Sequence, residues 1–429
     1  MRTRHTAHPL PAFPVFSSAF LSSNEVVLGG GGGASRSGIK NKLRLYRVDE
    51  DRSLHLLNEL ELEKDEDAPM SMATHLETKT VVCGINSTTE KLQKGQNENC
   101  RVFGLSGEEH RLEQLNTKGT LLSGDTEDYQ KVTVISPDGS LLVVAGNREL
   151  SLLSYPSLLP VAQTINVTEG DIYDATLSSS HFVITTTVNL LVYALPGTSS
   201  PTSSQQDERP SEKPSKKKKG KQKSKDKEET VNSSLPALEL VSVVQIPSLS
   251  GVPVGANTMF RAAKFHPSDP SVLYAMLNCT SPRTRSTKSV KRQAYAIKWV
   301  VNAHGSEEKA GKGKVTITLE KSRKAGESGV TCFDVSPDGK FLALGSSNYA
   351  INLLDSNTLS PLLTILKAHD FPLTTLCFNP TSKLLVSGSA DSTVRVVSVP
   401  GQLGGQSWST VLFIIVALIA ILIAITLSK

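Results

Sequence analysis

Five consecutive glycines, Gly29 to Gly33, are the most unusual feature of this 429-residue chain. They follow Val26-Val27-Leu28 and lead through Ala34-Ser35-Arg36-Ser37-Gly38-Ile39-Lys40-Asn41 into an alternating segment, 42–48. Glycine-rich turns serve enzymes in three settings, and each makes a demand this sequence does not meet. A P-loop needs Lys-Ser/Thr directly after its last glycine, but Gly38 is followed by Ile39 and Lys40. A dinucleotide-binding turn opens a helix, but here Leu43 and Leu45 alternate with Lys42 and Arg44 as in a strand. A nucleophile elbow needs Gly-x-Ser-x-Gly, which the sequence lacks. The nine histidines are scattered and form no cluster with carboxylates, so the sequence holds no constellation for bond chemistry.

What remains is the backbone itself. Ordering a glycine run is entropically costly, so such a run inside a strand pair suggests close approach of another backbone or of an ion. Carbonyls freed of side chains can coordinate a monovalent cation, as channel filters do. An ordered loop would project Ile39 and Asn41 at a partner. A flexible surface loop is the plain alternative.

The elements around the loop repeat. Segments beginning at Val132, Val330 and Leu373 each read as an alternating strand, a turn, an apolar strand, a small-residue turn and a third alternating strand. Pro-Asp-Gly makes the first turn in two of them, because Pro presets φ and Gly takes the conformation other residues resist. Ser336 and Asn379 hold equivalent turn positions 43 residues apart, the period of a propeller blade. A fourth copy starts at Met259, with His266-Pro267 in its turn, and weaker strand groups lie around 15–48, 70–105 and 174–195. Seven groups predict an all-β, seven-bladed β-propeller over residues 1–400, each blade a four-stranded sheet.

The net charge of +5 comes from two short segments. Residues 198–230 carry a surplus of four positive charges and 283–292 a surplus of five, which leaves the rest acidic by four. That distribution argues against nucleic acid as a partner, which wants a basic stripe on a folded face. Residues 197–235 are rich in Ser, Pro, Lys and Glu, with KKKKGKQKSKDK at their centre, and are expected to form a disordered insertion between blades. Residues 281–293 read as a long hairpin tip. Five widely spaced cysteines without a Cys-x-x-Cys point to neither zinc nor a disulfide framework and suit a reducing compartment.

The ends predict topology. Residues 411–427 are uncharged and apolar on every face, and Trp408 lies one turn upstream. A helix there would be about 25 Å long, close to the thin core of the endoplasmic reticulum bilayer. We therefore expect a linker at 401–407 and a transmembrane anchor at 408–427, with the body in the cytosol and its Asn-x-Ser/Thr sites unglycosylated. Pro9, Pro11 and Pro14 interrupt the N-terminal segment, which has neither a signal peptide's apolar run nor a targeting helix.

The repeats resemble the WD-repeat family. In the last repeat His369-Asp370 stands where the family has Gly-His, and Gly388-Ser389-Ala390-Asp391 carries its turn Asp. The closing Trp-Asp is replaced by Leu354-Asp355 and Val397-Ser398. Together with PVFSSAF (14–20), LGGGGGASRSGIKNKL (28–43) and a C-terminal anchor, the chain resembles the exchange-factor family that initiates the COPII coat, the prolactin regulatory element-binding protein family. That resemblance implies a guanine-nucleotide exchange factor that activates the small GTPase of the COPII coat at the endoplasmic reticulum membrane, a regulator without bond chemistry of its own. It also implies a potassium ion in the loop, held by Gly30, Gly31, Gly32 and Asn41. It assigns GTPase contact to Gly29–Gly33, Gly38 and Pro69, with Ile39 as an apolar wedge and Asn41 as a polar contact or loop brace. Two other functions are open: a membrane-anchored WD-repeat scaffold without exchange activity, and, on the lysine run alone, a nuclear DNA-binding factor.

Overall fold

The turns that mark the repeats are built alike. In each, the first residue's side chain accepts from the amide five residues on: Ser136 Oγ from Leu141 and Ser336 Oγ from Phe341, both at 2.9 Å, and Asn379 Oδ1 from Leu384 at 2.9 Å. The fourth residue closes back on the first through Gly139, Gly339 and Ser382, all at positive φ (72°, 72° and 59°). Only the serine carries a Cβ in that left-handed region, which glycine enters without cost.

A computed structural model describes residues 4–34, 37–107, 110–121, 125, 127–195, 235–252, 255–282, 291–303, 315–399, 401, 415–417 and 419. Its strands form seven antiparallel sheets of four strands each, the seven blades expected from the repeats. The innermost strands are Val15–Phe20, Ser71–His75, Val132–Ile135, Ile172–Leu177, Asn257–His266, Val330–Val335 and Leu373–Phe378. The core is not one mass but seven apolar clusters, each shared by neighbouring blades. One joins Val27, Leu43 and Leu45 of the first blade to Val81, Cys83 and Phe103 of the second. Another joins Leu353 and Ile365 of the sixth to Leu376 and Leu385 of the seventh.

The ring closes through a strand the repeats did not reveal. His5–Pro9 pairs antiparallel with Thr393–Ser398, from His5 opposite Val397 to Pro9 opposite Thr393, and completes the seventh blade. The fifth blade is the longest: its middle strands stay paired out to Thr280 opposite Arg292, at the base of the expected hairpin tip. The tip itself, 283–290, lies outside the described residues, as do 196–234 of the basic insertion and most of 402–429. Of the anchor expected at 408–427 only 415–417 and 419 are described; they are helical, and no helix among the described residues is long and apolar enough to cross a membrane. All five cysteines are free; Cys83, Cys100 and Cys279 are buried, and burial pushes the Cys100 thiol up to about 12.

Candidate functional site: the glycine loop

The loop joins the strand Glu25–Gly30 to the strand Lys42–Val48 of the first blade. Gly30 lies opposite Val15, the first residue of the innermost strand, so the loop leaves the ring on the face where the inner strands begin. Its first glycines are required by contact. A Cβ on Gly29 would stand 2.4 Å from Ser17 Oγ and 2.6 Å from Pro69 Cβ; one on Gly30 would stand 2.2 Å from the Pro14 carbonyl oxygen. Ser17 Oγ donates to the Pro69 carbonyl at 2.6 Å, which sets Pro69 beneath the glycines. Gly31 donates to the Pro14 carbonyl at 2.9 Å. Gly31, Gly33 and Gly38 then take positive φ, at 140°, 67° and 77°.

Asn41 holds the loop shut. Its Oδ1 accepts from the Gly33 amide at 2.9 Å, its Nδ2 donates to the Gly33 carbonyl at 3.0 Å, and the same Nδ2 donates to the Glu66 carbonyl at 2.7 Å. The side chain is buried, so of the two parts the sequence left open to Asn41 this conformation presents the brace and not a group projected at a partner. Ile39 is half-buried, its amide donating to Ser37 Oγ at 3.3 Å, with Ser37, Gly38 and Lys40 exposed around it.

A second shell of charge fixes what Asn41 grips. Glu66 Oε1 pairs with Arg101 Nη2 at 2.7 Å, both side chains buried, and Glu66 Oε2 accepts from the Glu63 amide at 3.1 Å. Arg101 also donates through Nε to the Glu98 carbonyl at 3.1 Å. The Asp67 carboxylate accepts from the Ala68 amide at 2.7 Å and from the Ala34 backbone of the loop; burial raises its pKa above the ordinary carboxylate value. Pro69 comes from the family resemblance alone, and neither that resemblance nor the reading of the residues points to Glu66, Asp67 or Arg101. The run Glu63-Lys64-Asp65-Glu66-Asp67 reads as a solvated turn, and its one buried acid is identified only by a partner 35 residues away.

The oxygens that the family resemblance implies for a cation, the carbonyls of Gly30, Gly31 and Gly32 and Asn41 Oδ1, are neutral; Asn41 Oδ1 keeps a lone pair beyond the one given to Gly33, and the Asp67 carboxylate stands beside them, 3.4 Å from where a Cβ on Gly33 would lie. Such a set suits a weakly charged hard cation, not a transition metal. Among the described residues no group of three His, Cys, Asp or Glu could hold a metal.

In the seventh blade, the ring that meets the turn acid Asp391 belongs to His369. Its Nδ1 lies 2.7 Å from Thr393 Oγ1 and 3.4 Å from Asp391 Oδ2, and its Nε2 lies 2.8 Å from Ser387 Oγ. The histidine position of the repeat is therefore one residue earlier than the sequence register placed it.

Seven four-stranded blades define a β-propeller, and the family model of the WD domain, G-beta repeat, matches it over residues 314–355 and 360–398. The homologues that span nearly the whole chain are named as exchange factors. The chain is 23% identical over 410 residues to the guanine nucleotide-exchange factor SEC12 of Candida glabrata, covering 93% of this chain and 73% of that protein. It is 22% identical over 414 residues to the putative guanine nucleotide-exchange factor SED4 of the same yeast, but spans only 33% of it. A shorter stretch of 89 residues is 34% identical to SEC12-like protein 2 of Arabidopsis thaliana.

Proposed function

We propose that this chain is a guanine-nucleotide exchange factor that activates the small GTPase of the COPII coat at the endoplasmic reticulum membrane and so starts vesicle budding toward the Golgi. The observation that carries the reading is the glycine loop, which is braced from within by Asn41 and from below by Pro69 and leaves Ile39 flanked by exposed residues. The similarity to proteins named as exchange factors over 93% of the chain supports it.

The mechanism requires no covalent step. GTPase switch segments are held in place by the nucleotide phosphates and Mg²⁺. A partner that binds the nucleotide-free GTPase better than the loaded one weakens nucleotide binding by the same coupling free energy. The bracing of Gly29–Gly33 by Asn41 and Pro69 suits this role, because backbone already held in place loses little entropy on insertion. Ile39 acts as the wedge; Gly29–Gly33 and Gly38 let the backbone approach; Asn41 and Pro69 hold its position. A potassium ion on the carbonyls of Gly30, Gly31 and Gly32 and on Asn41 Oδ1 would supply positive charge that stiffens the loop. Residues 408–427 would serve as the membrane anchor, with the propeller in the cytosol, so that active GTPase is produced beside the bilayer it enters.

The test is release of fluorescent GDP from the COPII GTPase by the full chain in detergent and potassium buffer. Strong acceleration is expected. A folded chain that leaves the release rate unchanged overturns the proposal and favours an anchored scaffold.

A further inference from the structure

The face that carries the glycine loop also carries two cations seated on aromatic rings. Lys131, just before the inner strand of the third blade, holds its ammonium 5.9 Å from the Tyr129 ring centre and 5.7 Å from that of Tyr173. The Arg261 guanidinium lies 4.9 Å from the Tyr173 ring on its way to the Thr331 carbonyl, to which it donates. Among the described residues neither cation stands in an ion pair. The fields of Asp128 and Asp171 act on Lys131 and that of Asp174 on Arg261, but none of these carboxylates forms an ion pair with either cation. Lys264, by contrast, has Asp334 at 3.9 Å.

The acid nearest in sequence to Lys131 is committed elsewhere. Asp128 accepts from the Asn147 amide through both oxygens, at 2.9 and 3.0 Å, and from Tyr129 at 2.8 Å. Half-burial of the Lys131 ammonium without a carboxylate contact lowers its pKa, with burial the largest cause. An incoming carboxylate would restore what that burial costs. Tyrosine and arginine are also the residues that interfaces concentrate, because they give rigid contact area with a polar tip.

This patch is continuous with the loop. The Asp67 amide donates to the Asn86 carbonyl at 3.1 Å, and Asn86 Nδ2 donates to the Asp128 carbonyl at 2.8 Å, directly before Tyr129. One hydrogen-bonded path thus leads from the segment under the glycines to the aromatic rim around Lys131.

We propose that Lys131 and Arg261, seated on Tyr129 and Tyr173, form a second contact that receives an acidic side chain of the GTPase engaged by the glycine loop. This rests on the exchange-factor reading. The loop acts on the nucleotide site, whereas the cation pair recruits and orients the partner, so the two divide kcat from KM.

The test measures exchange kinetics of the full chain in detergent against the COPII GTPase, for the wild type, Lys131→Met and Lys131→Arg. Lys131→Met is expected to raise KM about fivefold or more with kcat changed less than about twofold, and Lys131→Arg to restore KM. Raising ionic strength with choline chloride at constant potassium should raise the wild-type KM and affect Lys131→Met less. The wild-type salt series stands even if a variant fails to fold. An unchanged KM in folded Lys131→Met, a loss confined to kcat, or a salt-independent wild-type KM overturns this proposal alone. A wild type that does not accelerate exchange overturns it together with the exchange-factor reading.

Discussion

Glu66 and Arg101 meet at 2.7 Å in a buried ion pair that ties the segment under the glycine loop to the second blade. The same Glu66 offers its carbonyl to Asn41, so one residue links the blade-to-blade contact to the loop's internal clasp. Removing one partner leaves the other charged and buried, which costs about 3–5 kcal/mol. Arg101→Met should therefore lower thermal stability strongly, and the double variant Glu66→Gln with Arg101→Met should recover much of it. Melting curves of the three proteins check this; equal loss in the single and double variants would show that the pair is not the source.

Gly31 and Gly38 both have positive φ, yet only one of them is crowded. A Cβ at Gly31 would lie 2.2 Å from Asn41 Oδ1, whereas at Gly38 nothing lies within 4 Å. Gly31→Ala is expected to displace the clasp and reduce exchange about tenfold or more. Gly38→Ala meets only backbone strain of about 1–2 kcal/mol within the chain and leaves the clasp in place, so it should lose less exchange than Gly31→Ala. Similar exchange rates in the two variants would refute the bracing role of Asn41.

Ile39 is half-buried and contributes little to the core. Ile39→Ala should melt like the wild type while exchange falls about tenfold, a coupling loss of about 1.4 kcal/mol. Unaltered exchange in the folded variant removes the wedge from the mechanism.

A cation held by the loop's backbone carbonyls, as proposed, would be selected by size and hydration, so sodium should substitute poorly for potassium. Exchange measured in sodium buffer at equal ionic strength is expected to be slower than in potassium. Equal rates in the two salts would leave the loop without an ion.

Burial holds the His369 imidazole down to about 4, against the pull of Asp391, while the unfolded chain protonates near 6.5. Acid therefore favours the unfolded state: the stability present above pH 6.5 is lost as pH falls toward about 4. The shift corresponds to about 3 kcal/mol. His369→Gln should lose less melting temperature than the wild type between about pH 7 and about pH 4.5. An identical loss would place the acid sensitivity elsewhere.

Blade number was legible in part because three of the seven inner hairpins repeat one device: a side-chain acceptor at the first turn position and a residue fit for positive φ at the fourth. Ser136, Ser336 and Asn379 display that device in sequence, and the weaker blades were legible as alternating strands. The strand His5–Pro9 was not, because its neighbours Pro11 and Pro14 argue for irregular chain and its partner lies at the other end of the sequence. The glycine loop announced itself by composition, but the inward turn of Asn41 did not. That turn depends on the Glu66 carbonyl, and Glu66 depends on Arg101; no local pattern encodes either contact. His369 shows the smaller error of a register set by family spacing when only the bonded ring settles which residue fills the place.

The pairing of His5 with Val397 also sets an order in time. The strand His5–Pro9 must wait, unpaired, until Thr393–Ser398 has been made, and only then can the circle be fastened. Until that moment His5–Pro9 is an unpaired edge open to strangers, and quick closure onto Thr393–Ser398 is what removes it.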